Sequence, residues 1–374
     1  MHPSPTIDYE RPALTAEVQA ADPLHADPVI ATVPALNNKG DVAGLIAAMR
    51  AIAPMAGTVA GWGPVECLAA MRDLGLIIGS VKRHGPEPLN LAPELVPVLQ
   101  LLGERTDMVP RDTILHYTVW NPAGPRQRMY TDDQQEGHLQ ESVRIVFPDL
   151  QKALGRLEGL SDLAPADALF AVHLGEVAEL LQPTVESMAL VSRHVTPAFF
   201  AHGLRPYLEA ARIDGVDYFG PAAAQLPMWL VDKALWANDH NDTEYEEFLL
   251  NLVPYSLPRW RRMHANLAGG PSLAGRVVAA FGPDPERAPI AVRNSAAALV
   301  RALRVVVMFR GRHLGIARQV YELDDTYTEG SGGGSVDLLR QILNLTKENA
   351  RLSGRPTEPG SATRPPAQRS AGQG

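Results

Sequence analysis

The segment Phe309-Arg310-Gly311-Arg312-His313-Leu314 places an imidazole late in an apolar stretch, 296–320, with an arginine one helical turn before it. Shortly downstream comes Gly330-Ser331-Gly332-Gly333-Gly334-Ser335. Imidazole can ligate iron, a guanidinium can pair with a haem propionate, and a glycine-rich loop lets backbone approach a ligand closely. Tyr321 follows His313 at i+8, so both can face one side of a helix. Each feature also has a plainer role: a buried core histidine, a surface arginine, a turn between helices.

The glycine loop does not read as a phosphate cradle. It lacks the Gly-Lys-Ser/Thr ending of a Walker loop, and residues 322–329 are polar where a dinucleotide fingerprint needs an apolar strand. There is no His-Glu-x-x-His and no Cys-x-x-Cys, so zinc is not indicated. Without Cys-x-x-Cys-His, a haem would be held without a covalent link to the chain. Asp239-His240-Asn241-Asp242 can ligate a metal or form a solvated loop. No Gly-x-Ser-x-Gly elbow supports serine hydrolase chemistry. Phe199-Phe200, then Leu204-Arg205-Pro206-Tyr207, can wall an indole or phenyl pocket with a guanidinium fork for a carboxylate. Spacing alone favours core phenylalanines and a surface arginine there.

The chain has 374 residues and a formal net charge of -8. That length supports two ordinary domains and a large core. The charge and the lack of a long basic run argue against a general nucleic-acid binder. The single cysteine, Cys67, excludes an intramolecular disulfide, fits a reducing cytoplasm and reads as a small buried hydrophobe. The first ten residues lack a signal-peptide apolar core. Arg301 and Arg304 interrupt the best membrane-span candidate, so a soluble, cytoplasmic protein is expected, with no oligomeric state assigned.

The pattern that must position these groups is helical. Apolar residues recur at three- and four-residue spacings over 42–53, 65–78 and 91–102. Residues 113–120 alternate weakly, and Asn121-Pro122-Ala123-Gly124-Pro125 marks an internal boundary. Helical patterns follow at 139–157, 166–195 with a break at Pro183, 199–211, 226–237, 244–252, 290–323 and 336–352. Ser335 is the expected N-cap of the last, with Asp337 in its first turn. The expected fold is mainly α: a flexible arm (1–21), a small, mixed but mainly helical N-terminal domain (22–122), a larger all-helical domain (123–353) and a disordered tail (354–374).

Taken together, these segments resemble the haem-dependent indoleamine/tryptophan dioxygenase superfamily, and within it the monodechloroaminopyrrolnitrin synthases. The likeness runs from about residue 22 to 352. It is carried by Gly61-Trp62-Gly63, Ala69-Ala70-Met71-Arg72-Asp73, Lys82-Arg83-His84-Gly85 and Thr118-Val119-Trp120-Asn121-Pro122. Glu141-Ser142-Val143-Arg144-Ile145, Leu204-Arg205-Pro206, the His313 segment, Tyr321-Glu322 and Gly330-Ser331-Gly332-Gly333 complete the set.

The resemblance implies an indoleamine dioxygenase-like fold, haem b as cofactor, and tryptophan or a ring-halogenated tryptophan as substrate, with dioxygen or peroxide as oxidant. It implies that His313 ligates the iron, that Arg310 pairs with a propionate, and that the loop of Ser331, Gly332 and Gly333 lies over substrate and haem edge. By the same likeness Tyr321 sits near the substrate's amino-acid end, Arg205 holds its carboxylate, and Phe200 and Ser142 line the pocket. His138 stands where indoleamine dioxygenases carry a distal phenylalanine, and Gly220-Pro221-Ala222-Ala223-Ala224-Gln225 replaces their distal loop. Those departures shift the expected reaction from dioxygenation to ring rearrangement with decarboxylation. The alternatives are a dioxygenase or mono-oxygenase of this fold, a haem sensor or carrier, and a haem-free helical scaffold.

Overall fold

A computed structural model describes residues 7–240, 242–282, 285–323 and 327–352. It is 69% helical, and its only sheet among the described residues has two strands. The elements that build the site are α1 (Leu14–Ala20), α2 (Pro64–Arg83), α3 (Leu95–Thr106), α4 (Gln134–Arg144), α5 (Phe147–Gly159), α6 (Ala168–Leu180), α7 (Gln182–His194), α8 (Met228–Leu235), α9 (Thr243–Leu252), α10 (Ile290–Tyr321) and α11 (Val336–Asn349).

Local chemistry explains their bounds. α10 follows Pro289 and buries Val292, Leu299, Leu303, Val306 and Arg310 at helical spacing. It packs on α6, α7 and α11. The anticipated break between α6 and α7 falls at Leu181, with Pro183 in the first turn of α7, where its missing N–H is harmless. Ser335 caps α11 as expected, its Oγ accepting from the Leu338 N–H at 3.0 Å. α2 is buried from Cys67 to Val81. Glycine at 79 makes that possible: a Cβ there would sit 2.6 Å from the Tyr130 hydroxyl and 2.7 Å from the Tyr207 carbonyl oxygen. No helix among the described residues is long and apolar enough to cross a membrane.

Two expectations are corrected. The stretch read as a loose arm contains α1, because Leu14 and Val18 are apolar enough to bury. Residues 113–120, which alternate only weakly, hold a single helical turn, Ile114–Tyr117. Thr113 and His116 cap each other there, the Thr113 N–H donating to His116 Nδ1 at 3.1 Å. The helix expected over 199–211 is a π-helical turn, Phe199–Leu204, then a 3-10 turn, Arg205–Leu208, then strand β1 (Ala211–Ile213). β1 pairs antiparallel with β2 (Val216–Tyr218) across Asp214 and Gly215, both at positive φ, the two-residue hairpin that Asp-Gly favours. The expected tail lies outside the described residues, as do residues 1–6.

A buried ion network ties α1 and α2 to the segment before α4. Asp73 is fully buried and accepts from Arg72 Nε at 2.7 Å and Arg128 Nε at 2.8 Å. Arg72 also donates to the carbonyls of Val18, Ala21 and Trp120. Arg128 reaches Asp27 at 2.6 Å. Removing the central carboxylate strands two buried guanidinium groups. Asp73→Ala is therefore expected to lower unfolding stability by about 3–5 kcal/mol, measured by urea denaturation. A loss below about 1 kcal/mol would show that the guanidinium groups find other partners.

Candidate active site

A deep, mainly apolar cavity opens between α4, α7, α8, α10, α11 and the 199–208 turns. Its volume is about 290 Å³, near the lower end of the roughly 300–1,000 Å³ common for ligand pockets. One stripe of α10 faces it: Phe309, His313, Ile316, Ala317 and Val320, followed by Tyr321. These recur at i, i+4, i+7, i+8 and i+11, one side of a helix.

His313 lines this cavity with its ring stacked on Phe309, centroids 5.9 Å apart. Neither ring nitrogen has a hydrogen-bond partner among the described residues. Burial first, and the neighbouring Arg310 charge second, push its pKa down to about 4. It is therefore neutral at pH 7, the form in which imidazole ligates a metal.

Arg310, the residue expected to pair with a propionate, has a partner within the protein. Its Nη2 is paired with Asp232 of α8. Asp232 is fully buried and also accepts from the Tyr245 hydroxyl at 2.5 Å and Trp236 Nε1 at 3.1 Å. A buried carboxylate needs a cation, and Arg310 supplies it. Its Nε remains buried and unpartnered.

At the other end stands Arg205, C-terminal to the π-helical turn. Such turns insert one extra residue and redirect side chains, and here the turn carries Phe200 and Arg205 to the wall. The Arg205 guanidinium lies 4.2 Å over the Tyr327 ring, whose hydroxyl donates to Glu209 at 2.8 Å. Burial lowers the Arg205 pKa, and its Nη1 is buried with no partner among the described residues. Tyr321, Glu329, Gly330, Ser331 and Gly332 close this end. The loop folds on itself through Gly330 N–H to Gly334 O at 2.8 Å and Gly333 N–H to Gly330 O at 2.9 Å. A Cβ at 332 would lie 2.6 Å from that of Ala224, so only glycine lets this loop seat on the 220–225 loop.

A scan against protein-family models matches residues 15–357 to the family described as Monodechloroaminopyrrolnitrin synthase PrnB. The chain belongs to that family. It is a family of haem-containing oxidoreductases acting on a tryptophan-type small molecule.

Seen as a synthase-family site, most of the expected residues converge: His313, Arg310, Arg205, Phe200, Ser142, Tyr321, Ser331 and Gly332 all line the one cavity. Ser142 donates its hydroxyl to Leu139 O at 2.6 Å, which leaves its oxygen free to accept. Two residues do not reach the wall. His138 turns aside to stack on His194 of α7, ring centroids 4.3 Å apart. Leu139, Ser142 and Val143 take the cavity face of α4, and position 138 falls off that stripe. Gly333 is the positive-φ pivot behind the lining. The residues 239–242 assemble no cluster of three metal-ligating side chains among the described residues; Asp239 accepts from Ser272 and Asp242 caps α9.

Several wall residues went unread in the sequence: Tyr117, Trp229, Phe309 and Glu329. Phe309 was available from the helical stripe around His313. Tyr117 was not, since its partner is remote. Its hydroxyl donates at 2.8 Å to Glu136, which also accepts from the Tyr130 N–H and from the N–H and hydroxyl of Thr131. Burial pushes the Glu136 pKa up to about 7 against these donors.

A carboxyl raised in the folded state stabilises fully below its ordinary value of 4.5, and that contribution is lost as pH rises through about 7. Glu136→Gln stays neutral throughout. The stability of the variant relative to wild type should therefore rise between about pH 4.5 and pH 7 and then level off. Thermal melts across that range check this; a pH-independent difference refutes it.

Proposed function

We propose that the chain binds haem b through His313 and oxidises L-tryptophan or 7-chloro-L-tryptophan in a pyrrolnitrin-like pathway. The reaction is ring rearrangement with decarboxylation to an aminophenyl-pyrrole. In net terms carbon dioxide and two hydrogens leave the amino acid, and dioxygen or peroxide takes the electrons. The observation that carries this reading is one apolar cavity holding both an unpartnered neutral imidazole and an unpartnered guanidinium nitrogen. Family membership supports it.

The residues present suit the cofactor. His313 would hold the iron through a ring nitrogen, and the glycine contact at 332 leaves backbone, not side chain, against the cavity. When bound, haem supplies the iron that activates the oxidant. The protein's own work is placement. Arg205 takes the substrate carboxylate in a fork; Phe200 and Phe309 wall the indole; Ser331 and Tyr321 hold the amino-acid end. Arg310, held by Asp232, fixes the turn of α10 that presents His313.

His313→Ala is expected to lose tight haem binding, read as loss of the Soret band on gel filtration. An unchanged spectrum with full activity overturns the ligand assignment. Arg205→Lys should weaken tryptophan by roughly 1–3 kcal/mol and leave neutral indole nearly unaffected, because lysine cannot reproduce the fork. Equal affinities would make Arg205 structural. The deciding experiment is anaerobic reduction with each tryptophan, addition of oxygen, and product mass. Loss of carbon dioxide and two hydrogens supports the rearrangement. Gain of two oxygens or one gives a dioxygenase or mono-oxygenase. No product and no spectral response to any indole gives a carrier.

A further inference from the structure

The charged side chains in the cavity wall are few: Arg205, Arg310 and Glu329, among the described residues. Arg310 is neutralised by Asp232. Arg205 and Glu329 remain, of opposite sign, and neither has an ion-pair partner among the described residues. Both act on one hydroxyl: Tyr321, raised mainly by burial, is lowered by the charge of Arg205 and raised by that of Glu329. Glu329 Oε2 lies within 4.0 Å of where a Gly333 Cβ would stand, which places the carboxylate on the glycine loop at this same end.

Opposite charges on one cavity rim would pair with each other if they could reach. Held apart, they complement a ligand that carries both signs on neighbouring atoms. We infer that Glu329 is the ammonium-recognising residue of the site, and that with Arg205 it selects free α-amino acids over indoles lacking the amine. Tyr321 lines the same cavity, and its hydroxyl can both donate and accept. The inference rests on the reading of the cavity as a tryptophan site. Glu329 is solvent-exposed, and an exposed ion pair is screened, so its contribution is modest.

The test is calorimetric titration of the haem-loaded protein with L-tryptophan, tryptamine and indole-3-propionate. Glu329→Gln should weaken tryptophan and tryptamine roughly fivefold. It should leave indole-3-propionate, which has no amine, unchanged or tighter. Glu329→Asp, which keeps the charge, should restore part of the preference, and a high-salt titration should shrink the difference. Equal weakening of all three ligands, or of none, overturns the assignment of Glu329 while leaving the tryptophan reading intact. A wild-type protein that binds none of the three overturns the tryptophan reading itself, and the assignment with it.

Discussion

The site depends on one buried ion pair, Arg310 with Asp232. It joins the longest helix, α10, to α8 from inside the core, and Tyr245 and Trp236 complete the carboxylate's shell. His313 is one turn along the same helix. A rotation of α10 large enough to withdraw His313 from the cavity would also pull Arg310 from Asp232 and leave a buried charge alone. That penalty is several kcal/mol, more than a lone imidazole can gain by turning toward solvent. The pair thus sets both the rotation and the height of the stripe that runs from Phe309 to Tyr321.

The same constraint explains why the wall stays apolar around His313. Arg310 brings a positive charge close to an imidazole, which disfavours a second proton there. Burial does the same. A neutral ring is the result of both, with no hydrogen bond needed to hold it in that form. At the opposite end the chain uses different means. The π-helical turn re-aims Arg205, and the Tyr327 face supports the guanidinium plane without satisfying all its donors.

Much of this was legible in the residues. The period of 290–323 and the cap at Ser335 specify α10 and α11, because both signals are local. His313, Arg310, Tyr321 and Ser331 could be named from spacing and family likeness, and the structure brings them to one cavity. What was not legible was non-local or broke the helical period. The pairing of Arg310 with Asp232 could not be read, because Asp232 is distant in sequence. The stacking of His138 on His194 could not be read either, because the likeness carries position and not rotation about α4. Residues 199–211 keep an apolar rhythm, yet Pro206 and the Asp214-Gly215 turn end the helix early. The stretch 121–125 reads as a boundary, and Arg128, just beyond it, pairs back to Asp73 and Asp27.

The 220–225 loop has a consequence of its own. One amide, Gln225, holds it: Oε1 accepts from Ile114 N–H at 2.8 Å, and Nε2 donates to Gly220 O at 2.9 Å. The mount is therefore separate from the surface it presents, which is Pro221, Ala223 and Ala224. Position 224 is closed to larger residues by its contact with Gly332. Position 223 faces the cavity without appearing in that contact. A lineage can resize the cavity at 223 while the clamp and the glycine loop stay where they are, so its width can drift one methyl group at a time without refolding the site.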